Sequence, residues 1–191
     1  MFILYALVIG IAAGLLMGGR LDRLGQLQVR WPWVAVAGLV VQVVLFLPGI
    51  GERLGPAAPA VYVASTLAVF LFVARNARLA GFPLIALGAA SNLLAIVANG
   101  GYMPASPDAL RAIGERAARG YSNSRELANP ALAPLSDIFA LPPWLPFANV
   151  FSIGDVLIAL GVALAIALAM REPGAPGWRL PAPLRPGNPT K

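Results

Sequence analysis

Asp155 is the residue whose position most suggests chemistry, because its carboxylate lies about one helical turn inside the apolar run that ends at Met170. A charged group is costly in lipid and marks a candidate functional site. Asp155 has three possible roles. It could form an acid dyad with Asp137 that activates water, or it could bind an ion or a proton. It could instead cap its helix together with Ser152, because serine caps helix starts and an acid is favoured in the first turn.

Further polar residues are expected to gather near Asp155. Besides Asp137 and Ser152, the predicted cluster for ligand binding contains Asn99, Tyr102 and Asn149. Two amides, Gln42 and Asn92, lie near the middle of other apolar runs. We expect these two to form a hydrogen bond between helices, and the alternative is a polar cavity.

The absence of two residue types narrows the chemistry of the chain. It contains no cysteine and no histidine. Disulfides, thiolate-ligated clusters, histidine-ligated haem and ordinary zinc sites are therefore excluded, as is a Ser-His-Asp triad. We predict no metal and no cofactor, so that carboxylates, hydroxyls, amides and the backbone are the available groups.

Composition indicates a membrane protein. Of the 191 residues, 59% are hydrophobic and only 12% are charged, whereas about a quarter are charged in soluble domains. The net charge of +6 reflects basic residues between and after the apolar runs. They form no continuous stripe and no known motif, so nucleic acid is not an expected partner. The expected partners are the lipid bilayer and other membrane proteins or lipids.

Five apolar runs reach the length of about 20 residues that crosses a bilayer. They predict an all-α membrane bundle, residues 1–171, with a structured loop at 99–150 between the fourth and fifth helices. Prolines at 134, 142, 143 and 146 prevent residues 132–147 from forming a spanning helix. Residues 172–191 predict a disordered tail. The predicted spans are 2–18, 31–50, 57–74, 79–98 and 151–170.

The basic residues also predict an orientation. Nine of the 14 lie in the 20–30 loop, the 75–78 loop and the tail. Because positive loops remain in the cytoplasm, we expect the N-terminus and the 99–150 loop outside and the C-terminus in the cytoplasm. The predicted location is the bacterial cytoplasmic membrane.

Several motifs together resemble a known protein family. They are Gly18-Gly19-Arg20-Leu21, Gln42, the segment Asn99–Pro104, and Ser152-Ile153-Gly154-Asp155. Over about residues 1–170 the chain resembles a family of small bacterial multi-pass membrane proteins that is classed as a domain of unknown function. The resemblance implies a bacterial membrane protein and no activity.

A weaker resemblance is to lipoprotein signal peptidases, which are aspartyl proteases of the bacterial inner membrane. Asn99-Gly100-Gly101, Ser91–Leu94 and Ala148-Asn149 followed by Asp155 are similar to three segments of that family. The segments are out of order, Ala95 stands in the place of a catalytic acid, and Asp155 comes three residues late. Asp137 would have to supply the missing carboxylate.

The leading functional hypothesis is therefore a non-catalytic membrane subunit or accessory protein that binds a lipid, an ion or a protein partner at the outer face. The alternative is an intramembrane carboxylate hydrolase that acts on a lipid-linked or lipoprotein substrate. A small transporter is a third hypothesis, which the lack of evident inverted repeats disfavours.

Overall fold

The computed structural model describes residues 2–114, 124–127 and 129–171. It is mostly helical, as predicted, and each of the five apolar runs contains one long helix. The predicted disordered tail, 172–191, lies outside the described residues. The long helices are α1 (Phe2–Leu16), α2 (Pro32–Leu45), α4 (Ala58–Arg75), α5 (Phe82–Ala98) and α7 (Ile153–Ala169).

Two short helices occupy the connections between the long ones. They are α3 (Ile50–Leu54), which leads through a 3-10 turn into α4, and α6 (Pro107–Ala112). The continuous helical segment Ile50–Arg75 has 26 residues and is long and apolar enough to cross a membrane. The other four apolar helices of the described chain have 10–17 residues and fall short of that length. The five-span prediction is thus supported by helix position but not confirmed by helix length.

Neighbouring long helices pack in a fixed order, with α2 on α4, α4 on α5, α5 on α7 and α7 on α1. Aromatic contacts define two of these interfaces. Phe46 of α2 meets Tyr62 of α4 with ring centroids 5.1 Å apart, and Phe72 of α4 meets Phe82 of α5 at 6.2 Å. The first three pairs are antiparallel and the α1–α7 pair is parallel. Successive long helices therefore alternate in direction.

Glycines allow the last helix to approach two others closely. Gly81 and Gly88 of α5 lie against Gly161 and Gly154 of α7, and a β-carbon at any of the four would overlap the opposite helix. A β-carbon at Gly10 of α1 would lie 2.9 Å from the Ala163 backbone. Small residues promote such contacts between apolar helices because backbones can come close. As a result, α7 lies between α1 and α5.

The segment 99–150 is called the outer segment here, after its predicted orientation. Its described residues, 99–114, 124–127 and 129–150, pack on one end of the bundle and contain short strands that the sequence does not predict. Strand β1 (Met103–Ala105) pairs in parallel with β2 (Ser124–Glu126), and β3 (Phe139–Ala140) pairs antiparallel with β4 (Val150–Phe151). Met103 joins the core formed by α2, α4 and α5, while Ala105, Ala109, Leu110 and Val150 form a second core beneath the segment.

The opposite end of the bundle collects arginines and is called the basic end here. The Arg20 backbone N–H donates to the Met170 carbonyl at 2.8 Å. Asn76 accepts from the Arg30 N–H at 2.7 Å and donates to the Arg30 carbonyl at 2.9 Å. These bonds join the loop after α1 to the loop after α4 and to the end of α7. The arginines gathered there are Arg20, Arg23, Arg30, Arg75, Arg78 and Arg171.

Candidate functional site

A buried polar cluster joins the start of α7 to the side of α5. The Asn92 side-chain amide donates to Asp155 Oδ1 at 2.8 Å, and Ser152 Oγ donates to Asn92 Oδ1 at 2.9 Å. The Ser152 side chain is completely buried. Because the three side chains bond one another, the cluster is a hydrogen-bonded link between two helices.

Ser152 and Asp155 also form a reciprocal cap at the start of α7. The Asp155 N–H donates to Ser152 Oγ at 3.0 Å, and the Ser152 N–H donates to Asp155 Oδ2 at 2.9 Å. This capping box satisfies backbone donors that a helix start otherwise leaves unpaired. Of the three roles open to Asp155, the capping role is therefore present in the structure.

Glycine at position 154 makes the cluster sterically possible. A β-carbon there would overlap Asn92 Oδ1 and would lie 2.8 Å from the Gly88 carbonyl oxygen. The Asn92 amide thus reaches the start of α7 through space that only a glycine leaves open. The motif Ser152-Ile153-Gly154-Asp155 is explained in this way: the first and last residues cap the helix, and the glycine admits the asparagine.

Asp137 lies in the outer segment and has its own set of bonds. Its backbone N–H donates to the Pro104 carbonyl at 2.9 Å, and its carbonyl accepts from the Ser106 N–H at 2.9 Å. Its carboxyl accepts from Ser124 Oγ at 3.0 Å, and the residue as a whole is 5% exposed. The residue thereby holds β1 and β2 together.

The electrostatic environment of Asp137 favours its neutral form. Burial raises the pKa of the Asp137 carboxyl to about 7, and the negative charge of Asp155 contributes in the same direction. The hydrogen bond from Ser124 opposes the rise. Among the described residues no hydrogen bond joins the Asp137 and Asp155 carboxyl groups directly. The shared-proton dyad, one of the three roles open to Asp155, is therefore not formed in this structure.

The other predicted site residues lie apart from this cluster. Asn99 donates to the Ala95 and Ala131 carbonyls at 2.7 and 2.8 Å and accepts from the Ala131 N–H, so it fastens the outer segment to the end of α5. Tyr102 lies beneath the guanidinium of Arg125 at 4.8 Å. The single convergence predicted for Asn99, Tyr102, Asn149, Ser152, Asp137 and Asp155 is thus divided among separate contacts.

Asn149 lies next to the β3–β4 pair. Its backbone carbonyl accepts from the Leu141 N–H at 3.0 Å. Its side-chain Oδ1 is buried and has no hydrogen-bond partner among the described residues. Among the described residues no hydrogen bond joins Asn149 to Asp155, around which the polar residues were expected to gather.

The predicted bond between Gln42 and Asn92 is wrong. Gln42 donates to Thr66 Oγ1 of α4 at 3.3 Å, whereas Asn92 bonds Asp155 and Ser152. The physical reason is the packing order, because α4 lies between α2 and α5. The sequence did indicate that both amides bond across helices, and only the choice of partner fails.

Two residues that form hydrogen bonds between segments, Ser124 and Asn76, were not predicted from the sequence. Ser124, the partner of Asp137, lies in a polar turn-rich stretch that offers no distinguishing signal. Asn76 is 5% exposed and bonds Arg30 and the Phe72 carbonyl. A signal for Asn76 existed, since an amide directly after the last basic residue of an apolar run is well placed to satisfy helix-end carbonyls.

Comparison with known proteins supports the part of the first resemblance that concerns a domain of unknown function. Residues 26–167 match the model of a family described as "Family of unknown function (DUF5317)". The match covers most of the chain and includes Asn92, Asp137, Ser152 and Asp155. No curated protein and no solved structure matches the chain.

Proposed function

We propose that the chain, which belongs to the DUF5317 family, is a non-catalytic multi-pass protein of the bacterial cytoplasmic membrane. Five helices cross the bilayer, and the N-terminus and the outer segment lie outside. The C-terminus lies in the cytoplasm. The outer segment binds a lipid or a protein partner, and the polar cluster at Asp155 keeps the helices beneath it in place.

The outward faces of the long helices support a membrane setting. Large apolar side chains are exposed there, such as Val8 of α1 at 67% and Val43 of α2 at 65%. Soluble monomers rarely expose continuous apolar patches of more than a few hundred Å². In a bilayer the same side chains contact hydrocarbon, and the α-helices satisfy their own backbone groups.

The proposed orientation is supported by the distribution of charge. The basic end carries six arginines, and Asp22 is the single acid among the described residues of its loops. Trp31 and Trp33, both exposed, lie at the start of α2 at the same end. An excess of positive charge is typical of the cytoplasmic side of a membrane protein, and tryptophan is typical of both membrane–water interfaces.

One observation carries the non-catalytic role: both carboxylate oxygens of Asp155 are already bonded to groups of the protein itself. Oδ1 accepts from Asn92, and Oδ2 accepts from the Ser152 backbone. A carboxylate that activates water needs an oxygen within hydrogen-bonding reach of that water. The bonds of Asp155 serve helix capping and helix packing instead.

An uncharged aromatic loop in the outer segment, residues 142–147, is the best candidate for contact with a partner. Trp144 is 79% exposed and Phe147 is 63% exposed, and no charged residue lies between Ile138 and Val150. The Tyr5 hydroxyl donates to the Pro146 carbonyl, which holds the loop beside the outer end of α1. Exposed aromatic side chains of this kind are enriched in contact surfaces.

Labelling of single cysteines tests the membrane setting and the orientation, because the natural chain has none. Arg111 and Arg78 are both exposed arginines, one in the outer segment and one at the basic end. We expect an impermeant maleimide to label Arg111→Cys in intact cells and to label Arg78→Cys only after permeabilisation. The reverse pattern would overturn the orientation, and recovery of the protein without detergent would overturn the membrane setting.

The carboxylate hydrolase is the second candidate, and one observation favours it. Burial and, to a smaller extent, the charge of Asp155 raise the pKa of Asp137 to about 7, and mutual influence of two carboxyl groups is a property of acid dyads. Cleavage of a fluorogenic lipopeptide by the purified protein, abolished in Asp137→Asn, would establish this candidate. Equal signals from both proteins would eliminate it.

A further inference from the structure

We infer that the aromatic loop, residues 142–147, lies in the outer leaflet of the membrane, so that its partner is the lipid beside α1 and not another protein. The inference rests on the membrane setting proposed above and narrows the choice left open there between a lipid and a protein. The chemistry it requires is that of a bilayer interface, where hydrocarbon meets headgroups, with no preference for the charge of a headgroup.

The first support is the composition of the loop. Residues 138–154 contain no charged side chain, and the loop itself reads Pro-Pro-Trp-Leu-Pro-Phe. All of its residues except Leu145 are exposed, with Trp144 at 79% and Phe147 at 63%. Tryptophan is enriched where hydrocarbon meets headgroups, whereas the contact surfaces of proteins add arginine and a polar rim. The composition of the loop therefore favours lipid.

The second support is the backbone of the loop, because unpaired backbone groups are costly in lipid. Its three prolines have no N–H to pair, and the Leu145 N–H donates to the Pro142 carbonyl at 3.0 Å. The Leu145 carbonyl accepts from the Ala148 N–H, and the Pro146 carbonyl accepts from the Tyr5 hydroxyl. Most N–H positions of the loop are thus absent or bonded within the protein, as an apolar environment requires.

The third support is the place at which the loop is held. The bond from Tyr5 fastens Pro146 to the first turns of α1. Side chains in a helix lean towards its N-terminus, so the loop lies at the outer end of this helix. The side chains exposed on the same turns are apolar, and they are Ile3, Leu4, Leu7 and Val8. In the proposed setting these side chains contact lipid, and the loop extends their apolar surface.

The length of α1 gives this extension a physical purpose. The helix has 15 residues, which at about 1.5 Å per residue makes it about 22 Å long. The hydrocarbon layer of a bilayer is about 30 Å thick, and a mismatch between the two lengths is unfavourable unless something compensates for it. The aromatic loop adds apolar surface at the outer end of α1, where the helix falls short.

Quenching by nitroxide-labelled lipid tests the inference. The purified full chain, with a single fluorophore-labelled cysteine, is reconstituted into phosphatidylcholine vesicles whose nitroxide lies either near the headgroup or near the end of the acyl chain. The test variant is Trp144→Cys. Leu39→Cys, in the middle of α2 and 52% exposed, is the control for the membrane setting. Arg111→Cys, exposed in the same outer segment, is the control for a position in water.

We expect the probe at position 144 to lose more fluorescence to the nitroxide near the headgroup than to the one near the chain end. The probe at position 39 should show the reverse order, and the probe at position 111 should lose little to either. Because the fluorophore replaces the tryptophan itself, Pro143→Cys repeats the measurement with Trp144 in place and should give the same order as the test variant.

The controls separate failure of the inference from failure of the membrane setting. Quenching at position 39 without quenching at 143 and 144 would overturn the inference and leave the membrane setting intact. A blue shift at 144 without quenching would also overturn it, because a second copy of the chain, and not lipid, would then cover the loop. Absence of quenching at all of these positions would overturn the membrane setting and the inference together.

Discussion

Replacing Asp155 with asparagine tests whether this carboxylate is a structural link. In the structure, Oδ1 faces the Asn92 amide donor and Oδ2 faces the Ser152 N–H donor. An asparagine offers one oxygen and one NH₂ group, so with the Asn92 amide oriented as in the structure its NH₂ faces a donor at one of the two positions. The substitution preserves shape but removes an acceptor where two are required.

The expected loss of stability follows from the bonds affected. A hydrogen bond to a charged group contributes about 1.5–3 kcal/mol, and a buried donor left without a partner costs about 1–3 kcal/mol. The two figures overlap, because both describe the same broken contact. We therefore expect Asp155→Asn to lower the free energy of unfolding by about 1.5–3 kcal/mol.

A residue swap provides the matching control. In Asn92→Asp with Asp155→Asn, the amide at 155 accepts from the Ser152 N–H and donates to the carboxylate at 92. In the unmodified chain Ser152 Oγ donates to Asn92 Oδ1. In the swapped protein it can donate to the second oxygen of the carboxylate at 92. Every donor regains an acceptor, so the swap should recover more than half of the loss.

Reversible unfolding by denaturing detergent, followed by tryptophan fluorescence in micelles, measures these free energies. The single and double variants form a double-mutant cycle, in which coupled residues deviate from additivity by about 0.5–3 kcal/mol. The reasoning is refuted if Asp155→Asn costs less than about 0.5 kcal/mol, or if the two single substitutions simply add in the swapped protein.

Three further predictions follow from described contacts. The raised pKa of Asp137 means that stability should fall as pH rises from about 4 to about 7, because the unfolded carboxyl, with its ordinary pKa of 3.8, loses its proton first. The slope should approach about 1.4 kcal/mol per pH unit and should vanish in Asp137→Asn in a pH series of the same unfolding assay. Gly81→Ala should destabilise the protein by more than about 2 kcal/mol, because the residue has φ +84° and its β-carbon would overlap the Gly161 carbonyl; Gly25→Ala, which meets open space, is the control, and equal melting temperatures would contradict the prediction. Asn76→Ala should release the loop after α1, so hydrogen exchange of the Arg30 amide should accelerate at least tenfold, and unchanged protection would refute the tether.

The positions of the long helices could be predicted from the sequence, because the pattern that indicates each helix lies within its own segment. Each apolar run is long, and Ser152 with Asp155 shows the pattern of a helix start within four residues. Boundaries are less accurate. The first run was predicted to remain helical to Gly18, but α1 ends at Leu16 and Gly18 takes φ +76°, a conformation that ends helices.

The polar contacts were harder to predict because they depend on which helices become neighbours. Asn92 and Asp155 are 63 residues apart, and nothing in either apolar run states that α5 packs on α7. The repeated glycines at 81, 88, 154 and 161 contain that information, since their spacing of seven matches in the two helices. The strands of two or three residues were missed because so short a segment shows no alternation of polar and apolar side chains.

The position of α7 between α1 and α5 has a consequence for how the protein is made. Helix α1 leaves the ribosome well before α7, which is its main packing partner. About 150 residues separate the ends of these two helices, which at about 5–20 residues per second takes roughly 8–30 s to synthesise. During that interval the Gly10 face of α1 lacks its contacts with α7. Folding of the five long helices therefore includes a late closing step, in which the newly made α7 packs between helices that were synthesised earlier.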